Sequence, residues 1–253
     1  KRSGKLVNLQ DAIAAEPLPQ TATAIGHTRW ATHGGPTDDN AHPHLGGSHG
    51  RLALIHNGII ENFHALKTEL LEQGVAFASE TDTEVAAHLV SAAYDRTHDL
   101  TAAMLEAVAR LDGATLLAIH ADQPGVVVGA RRNSPLVVGL GTGANYLGSD
   151  VAAFIGHTRE ALELGQDQIV TITPDSVTVL GFDGRRYHVD WDAAAAEKGG
   201  YSSFMAKEID EQPHAVADTL LGRTKENGEL VLDELRVSED ALRAVDKIVI
   251  VAC

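Results

Sequence analysis

Hydrophobic and polar positions follow two rhythms along this chain, and the change of rhythm organises it. "TATAIGHTRW" (residues 21–30) and "RLALIHNG" (51–58) carry apolar positions at strand-like spacing and run into glycine-containing loops, so both are predicted strands. "NFHALKTELLEQG" then takes a helical period, with Asn62 as its cap, Phe63, Leu66, Leu70 and Leu71 on one face, and Gly74 as its stop. A second helix is predicted to start at Asp82, with Val85, Ala86, Leu89, Val90 and Ala93 inward. A third runs from about residue 101 to 111, with Met104, Leu105 and Val108 inward.

After Gly113 the texture becomes β-rich. "TLLAIH", "VVVGARR", "SPLVVGLG", "NYLGSD", "QIVTITP" and "SVTVLGFDGRRYHVDW" are short runs separated by Gly, Asp, Asn and Pro, the pattern of antiparallel hairpins, with Asp-Gly of "FDGRR" at the centre of one turn. Few helices alternate with these strands, so the fold class is α+β with mostly antiparallel sheet rather than a doubly wound parallel one. "WDAAAAEKGGYSSF" (191–204) has the small, Gly-rich composition of a linker. Beyond it "FMAKEIDEQPHAVADTLLGR" and "SEDALRAVDK" read as helices, and "KIVIVAC" as a buried strand. The expected organisation is a first domain over residues 1–195, then a linker and the opening of an α/β domain over 196–253.

Composition narrows the class. Of 253 residues 44% are apolar and only 4% aromatic, so the core must be built from Ala, Val, Leu and Ile. A formal net charge of −15 argues against a nucleic-acid or anionic-membrane partner, since phosphate binding needs clustered Lys and Arg. The single cysteine, Cys253, allows no internal disulfide. No stretch approaches the roughly 18 apolar residues of a membrane helix, and "KRSGKLVNLQ" lacks a signal peptide's apolar region. An acidic, soluble, cytoplasmic protein is expected. The absence of an initiator Met and the apolar run at the end suggest a piece of a longer chain.

Three stretches carry candidate chemistry. His27, His33, His42, His44, His49 and His56 are six of the thirteen histidines and fall within about thirty residues. His42 and His44, with Asp38 or Asp39, could hold a metal for a hydrolase, although no HExxH and no nearby Cys supports it, and structural histidines are the ordinary reading. In "HNGIIEN" (56–62), Asn57 offers an amide donor and Gly58 an unshielded N–H; such a pair can hold an oxyanion at roughly 3 kcal/mol per donor, or can simply make a hairpin turn. "SETDTEV" (79–85) is ordinary helix-start chemistry, or it presents Asp82 to an ammonium group. Taken together, Arg29 suits a carboxylate, Thr32 adds a hydroxyl, Asp82 suits an ammonium, and Asn57 with Gly58 suits a tetrahedral oxyanion. That set describes glutamine, held by its α-carboxylate and α-amino groups while its side-chain carbonyl is attacked.

"GHTRWATHG", "NAHPH", "HNGIIEN", "SETDTEV", "SPLVVGLG", "FMAKEIDEQP" and "KIVIVAC" occur in the order and approximate spacing of the glucosamine-6-phosphate synthases, the isomerizing glutamine:fructose-6-phosphate aminotransferases, and the chain resembles that family over essentially its whole length. A second "GHTR", at 156–159, lacks the residues that follow the first and is coincidental. The resemblance implies an N-terminal-nucleophile (Ntn) hydrolase fold, a four-layer sandwich of two antiparallel sheets between helices, followed by a sugar-isomerase domain. It implies L-glutamine as substrate, ammonia passed to fructose 6-phosphate through that later domain, no cofactor, no metal, and a homodimeric full-length protein. By residue, it implies that Arg29 and Thr32 hold the glutamine carboxylate, Asp82 the amino group, Asn57 and Gly58 the oxyanion, that Trp30 gates an ammonia channel, and that His33 and His42 line the site. The family attacks with an N-terminal cysteine whose α-amine is the base; Lys1 cannot take that role, so the 253 residues alone are expected to be inactive. Another Ntn-type amidotransferase and a metal-dependent hydrolase are the competing readings.

Overall fold

The computed structural model describes residues 1–113 and 115–185, together with 205–206, 209–210, 212–213, 216, 238–247 and 249. The chain divides into two compact units, Lys1–Ala196 and Glu197–Cys253. In chain order the first unit contains α1 (Leu6–Ala15), β1 (His44–Gly46), β2 (Leu52–Asn57), α2 (Phe63–Glu72), α3 (Asp82–Thr97), α4 (Leu100–Val108), β3 (Thr115–His120), β4 (Val127–Arg131), β5 (Val137–Leu140), β6 (Asn145–Gly148), a 3₁₀ turn (Val151–Ala153), β7 (Glu160–Glu163), β8 (Gln168–Ile172) and β9 (Val177–Gly181).

All strand pairings among the described residues are antiparallel, as the hairpin pattern predicts. One sheet has six strands in the order β1-β2-β3-β4-β8-β9 and the other has three, β6-β5-β7. The two-residue period of a strand sends neighbouring side chains to opposite faces. On β2, β3, β4 and β8 one set, Leu52, Leu54, Leu116, Ala118, Val128, Ala130 and Ile169, packs under α2, α3 and α4. The other set, Leu117, Val127, Val170 and Ile172, meets Leu136, which immediately precedes β5, and Val138 of the three-stranded sheet. The six-stranded sheet is therefore a middle layer, covered by helices on one face and by the smaller sheet on the other.

Several elements depart from the sequence reading for identifiable reasons. Residues 21–30 keep a two-residue burial rhythm, with Thr23, Ile25, His27 and Arg29 half-buried and their neighbours exposed, but they join no ladder among the described residues. Alternation records which side faces the protein, whereas a strand also needs a hydrogen-bonding neighbour. Leu71 is 53% exposed because it lies one step, about 100°, beyond Leu70, outside the stripe of Phe63, Leu66 and Leu70. The third helix begins one residue earlier than predicted, where the Asp99 carboxylate accepts from the N–H groups of Thr101 and Ala102, and it ends at Val108. Strand β7 was not predicted; glutamates close both its ends and only Ala161 is buried. Helix α1 was not predicted either, and it buries no side chain.

In the second unit α5 (Glu239–Arg243) falls inside the predicted "SEDALRAVDK" helix, where the Ser238 hydroxyl accepts from Ala241 N–H at 3.2 Å. The linker stretch 191–204, most of the "FMAKEIDEQPHAVADTLLGR" helix and nearly all of the "KIVIVAC" strand lie outside the described residues. Among the described residues no helix is long and apolar enough to cross a membrane.

Candidate active site

Strand β2 delivers two candidate side chains to opposite faces. Its alternation places His56 under the start of α3 and Asn57 on the face turned toward the smaller sheet. The backbone then turns at Gly58, whose φ of 116° lies in a region that side-chain-bearing residues rarely adopt, and a Cβ there would have room but the wrong backbone. The following residues are pinned from below. Glu61 N–H donates to the Asp112 carbonyl at 2.9 Å, and the Asn62 side chain bridges the Arg110 carbonyl and the Asp112 N–H at 2.8 and 3.0 Å. Asn62 occupies the predicted cap position of α2, yet its side chain makes no capping bond, because it serves this bridge. Gly113 lets the two loops meet: a Cβ on it would lie 2.8 Å from the Ile59 carbonyl.

Asp82 ties the same turn to α3. It is 3% exposed, and its carboxylate accepts the Ile60 N–H at 2.9 Å. The rings of His33 and His56 approach that carboxylate oxygen at 3.8 and 3.9 Å. Thr83, the next residue, has its hydroxyl 3.1 Å from both His42 Nε2 and His56 Nδ1. The first turn of α3 is steadied further by Glu84, which accepts from the N–H groups of Ala78 and Ser79 at 2.8 and 2.7 Å and from the Ser79 hydroxyl at 2.5 Å. A capping box would have turned Glu84 to the N–H of Thr81; here it organises the loop before it.

The histidines of this region form a connected wall. His27 Nε2 lies 2.6 Å from Asn57 Oδ1, the His27 ring packs 4.2 Å from that of His42, and His42 lies 5.1 Å from His44. His44 in turn reaches the Thr81 hydroxyl at 3.0 Å. Burial pushes the His42 imidazole down to about 2, with the neighbouring rings of His27 and His44 adding to the effect. Burial likewise holds His44 at about 4, and His56 at about 4 against the opposing pull of the Asp82 charge. For Glu84 burial works upward, but the His88 ring 3.6 Å away and hydrogen bonds from Ala78 and Ser79 prevail and hold the carboxyl at about 2. Asp38 and Asp39 stand apart from this wall. Asp38 is exposed and pairs with the backbone of Ser3, and among the described residues no three His, Cys, Asp or Glu side chains are arranged to hold a metal ion.

Arg29 sits at the edge. Its guanidinium donates to the carbonyls of His33, Gly34 and Gly35, folding residues 29–35 into a closed loop, and through His33 that loop touches Asp82. Thr32 is exposed on the loop, and Trp30 is 89% exposed. Of the residues singled out from sequence, the fold thus gathers Asn57, Gly58, His42, His33 and Asp82 and attaches Arg29 to them, while Thr32 and Trp30 face outward. A cavity of about 620 Å³ opens beside Asn57, His27 and His56, walled by residues 22–28 and by apolar side chains of both sheets such as Leu117, Val127, Leu136 and Phe154. Arg29, Asp82 and Thr32 are not in its lining, so Asn57 stands where the cavity meets the polar cluster.

Sequence reasoning missed the parts played by His27, His56, Thr83 and the Ile60 N–H. The alternation of Thr23, Ile25, His27 and Arg29 was a usable signal for His27, since it puts that ring and the Arg29 side chain on one side. Nothing local marks Thr83, whose two imidazole partners lie 27 and 41 residues away.

Two antiparallel sheets, with Asn57 and Gly58 at a strand end and a buried acid tied to the turn that follows, define the class of fold and site to set beside known proteins. Residues 27–156 match the family model of the glutamine amidotransferase domain, and the chain belongs to that family. Among curated proteins it is 63% identical over 259 residues to the glutamine–fructose-6-phosphate aminotransferase [isomerizing] of Streptomyces coelicolor, with all of this chain and 42% of that protein covered. Proteins of the same name from Corynebacterium efficiens and Mycobacterium tuberculosis are 59% and 54% identical, again over all of this chain and 42% and 43% of theirs. The chain therefore spans less than half the length of these relatives. Among solved structures, one described as the allosteric regulatory enzyme of purine biosynthesis superposes with a TM-score of 0.51 at 30% identity, covering 62% of this chain and 34% of that one.

Proposed function

We propose that this chain is the glutamine-hydrolysing part of an isomerizing glutamine:fructose-6-phosphate aminotransferase. The observation that carries the reading is that the Asn57–Gly58 turn is tied to a buried carboxylate: two residues beyond Gly58, the Ile60 N–H donates to Asp82 at 2.9 Å. In this reading Arg29 and Thr32 receive the α-carboxylate of L-glutamine and Asp82 its α-ammonium. A thiol attacks the side-chain carbonyl carbon, the carbonyl electrons move onto oxygen, and the Asn57 amide and Gly58 N–H hold the charge that develops there. Collapse expels ammonia, and water then releases glutamate from the thioester. His33 and His42 line the site, and Trp30, exposed as it is, suits a gate that other parts of the protein cover.

The finer architecture belongs to the same proposal. Helices would close both outer faces of the two sheets in a four-layer Ntn-type sandwich, and residues 196–253 would open a sugar-isomerase domain in which fructose 6-phosphate accepts the ammonia, in a homodimer. Four buried imidazole nitrogens, His27 Nδ1, His33 Nδ1, His42 Nδ1 and His56 Nε2, have no hydrogen-bond partner among the described residues, which suits a wall that meets a polar ligand. Asn57→Ala in the full-length protein is expected to lower kcat for ammonia release from glutamine by about 10²–10³-fold, the usual effect of removing one oxyanion donor. Glutamine hydrolysis at the unaltered rate in that variant would overturn the reading.

A further inference from the structure

An asparagine amide can turn either its oxygen or its NH₂ toward a substrate, and only the NH₂ stabilises an oxyanion. Something must therefore choose the orientation of Asn57. Its backbone belongs to β2, whose pairing of Asn57 with Thr115 fixes the main chain but leaves the terminal torsion free. The contact that removes this freedom is with His27, whose Nε2 lies 2.6 Å from Asn57 Oδ1. An amide oxygen only accepts, so the ring must carry its proton on Nε2. His27 Nδ1 is buried and has no partner among the described residues, which suits the bare nitrogen of this tautomer better than a stranded N–H. The ring is itself held from behind, since His42 packs against it and the Thr83 hydroxyl fixes His42.

We propose that His27 is a positioning residue of the oxyanion hole: by donating Nε2–H to Asn57 Oδ1, it commits the Asn57 NH₂ to the substrate carbonyl. The inference rests on the glutaminase reading and gives that site an additional member that neither touches glutamine nor moves a proton. The alternative, an amide turned the other way and donating to a bare Nε2, would aim an oxygen at the developing negative charge.

Glutamine hydrolysis by the full-length protein tests this. His27→Phe, which keeps a ring and loses the donor, should lower kcat by about 10–100-fold with KM changed less than about twofold, because the lost interaction is made in the transition state. His27→Gln, whose amide N–H can reach the same oxygen, should restore most of that rate. The double variant with Asn57→Ala should be no slower than Asn57→Ala alone, since two residues acting through one donor are not additive. An unchanged kcat in His27→Phe, a rise confined to KM, or fully additive losses would each overturn the proposal. Should His27→Phe fail to fold, ¹⁵N shifts of the imidazole in the unaltered protein, assigned by the signal lost in His27→Gln, decide: a proton on Nε2 supports the proposal and one on Nδ1 sinks it. If Asn57→Ala itself leaves kcat intact, the glutaminase reading fails, whatever His27 does.

Discussion

Asp82, Thr83 and His56 belong to the interior, where helix α3, strand β2 and the turn after it share hydrogen bonds at 2.9 to 3.1 Å. Arg29, Trp30 and Thr32 belong to an irregular segment that pairs with no strand among the described residues and is closed on itself by Arg29 and three backbone carbonyls. Both regions carry residues proposed to hold the same ligand. The interior region is shaped by groups that would be costly to leave unpaired, so its geometry is built before any ligand arrives. The outer region is held by side-chain bonds at a partly solvated edge, which cost little to exchange for a carboxylate.

Variants should separate the two. The largest effect is expected from Asp82→Ala, which strands the buried Ile60 N–H at a cost of about 1–3 kcal/mol and also removes the proposed ammonium partner. Denaturant melts should show the lost stability, and the glutamine KM should rise by about 10²-fold; a KM effect without any stability change would show that the interior is not held as described. Arg29→Ala comes next. It should raise KM by about 10-fold or more, since it removes ground-state as well as transition-state binding, while Tm stays within about 3 °C. An unchanged KM would remove Arg29 from the site.

A third test separates the regions by pH. His42, His44 and His56 are held well below their ordinary value of 6.5, to about 2, 4 and 4, so the unfolded chain takes up protons that the folded chain refuses. Their contribution is intact above pH 6.5 and is lost as pH falls toward the folded values, at up to about 1.4 kcal/mol per ring per pH unit. Glu84, lowered from 4.5 to about 2, adds a loss of the same sign below pH 4.5. Thermal melts should therefore show Tm falling from pH 7.5 to 5, and the fall should persist in Arg29→Ala; a flat profile would mean that the rings are not buried as neutral groups.

How far the sequence could be read differs along the same line. The α+β class, the antiparallel pairing and the inward faces of α3 were legible because periodicity reports burial directly, as at Val85, Ala86, Leu89 and Val90. Residues 21–30 differ from the strand expected of them because their rhythm is genuine but they join no ladder among the described residues. Asp82 was legible as a special acid. Its bond to the Ile60 N–H was not, since nothing local foretells a partner 22 residues away.

The sequence by itself determined the donors of Asn57 and Gly58, the acid at the head of α3, the run of histidines and membership of the glutamine amidotransferase family, because these depend on residue type and short-range spacing. Only the tertiary structure decided which face of β2 each side chain takes, that Thr83 joins two imidazoles, that Glu84 serves the loop before it instead of the helix cap, and that His27 meets Asn57. Those outcomes depend on segments far apart in the chain being packed together, where a buried polar atom must find whichever partner the fold brings within about 3 Å.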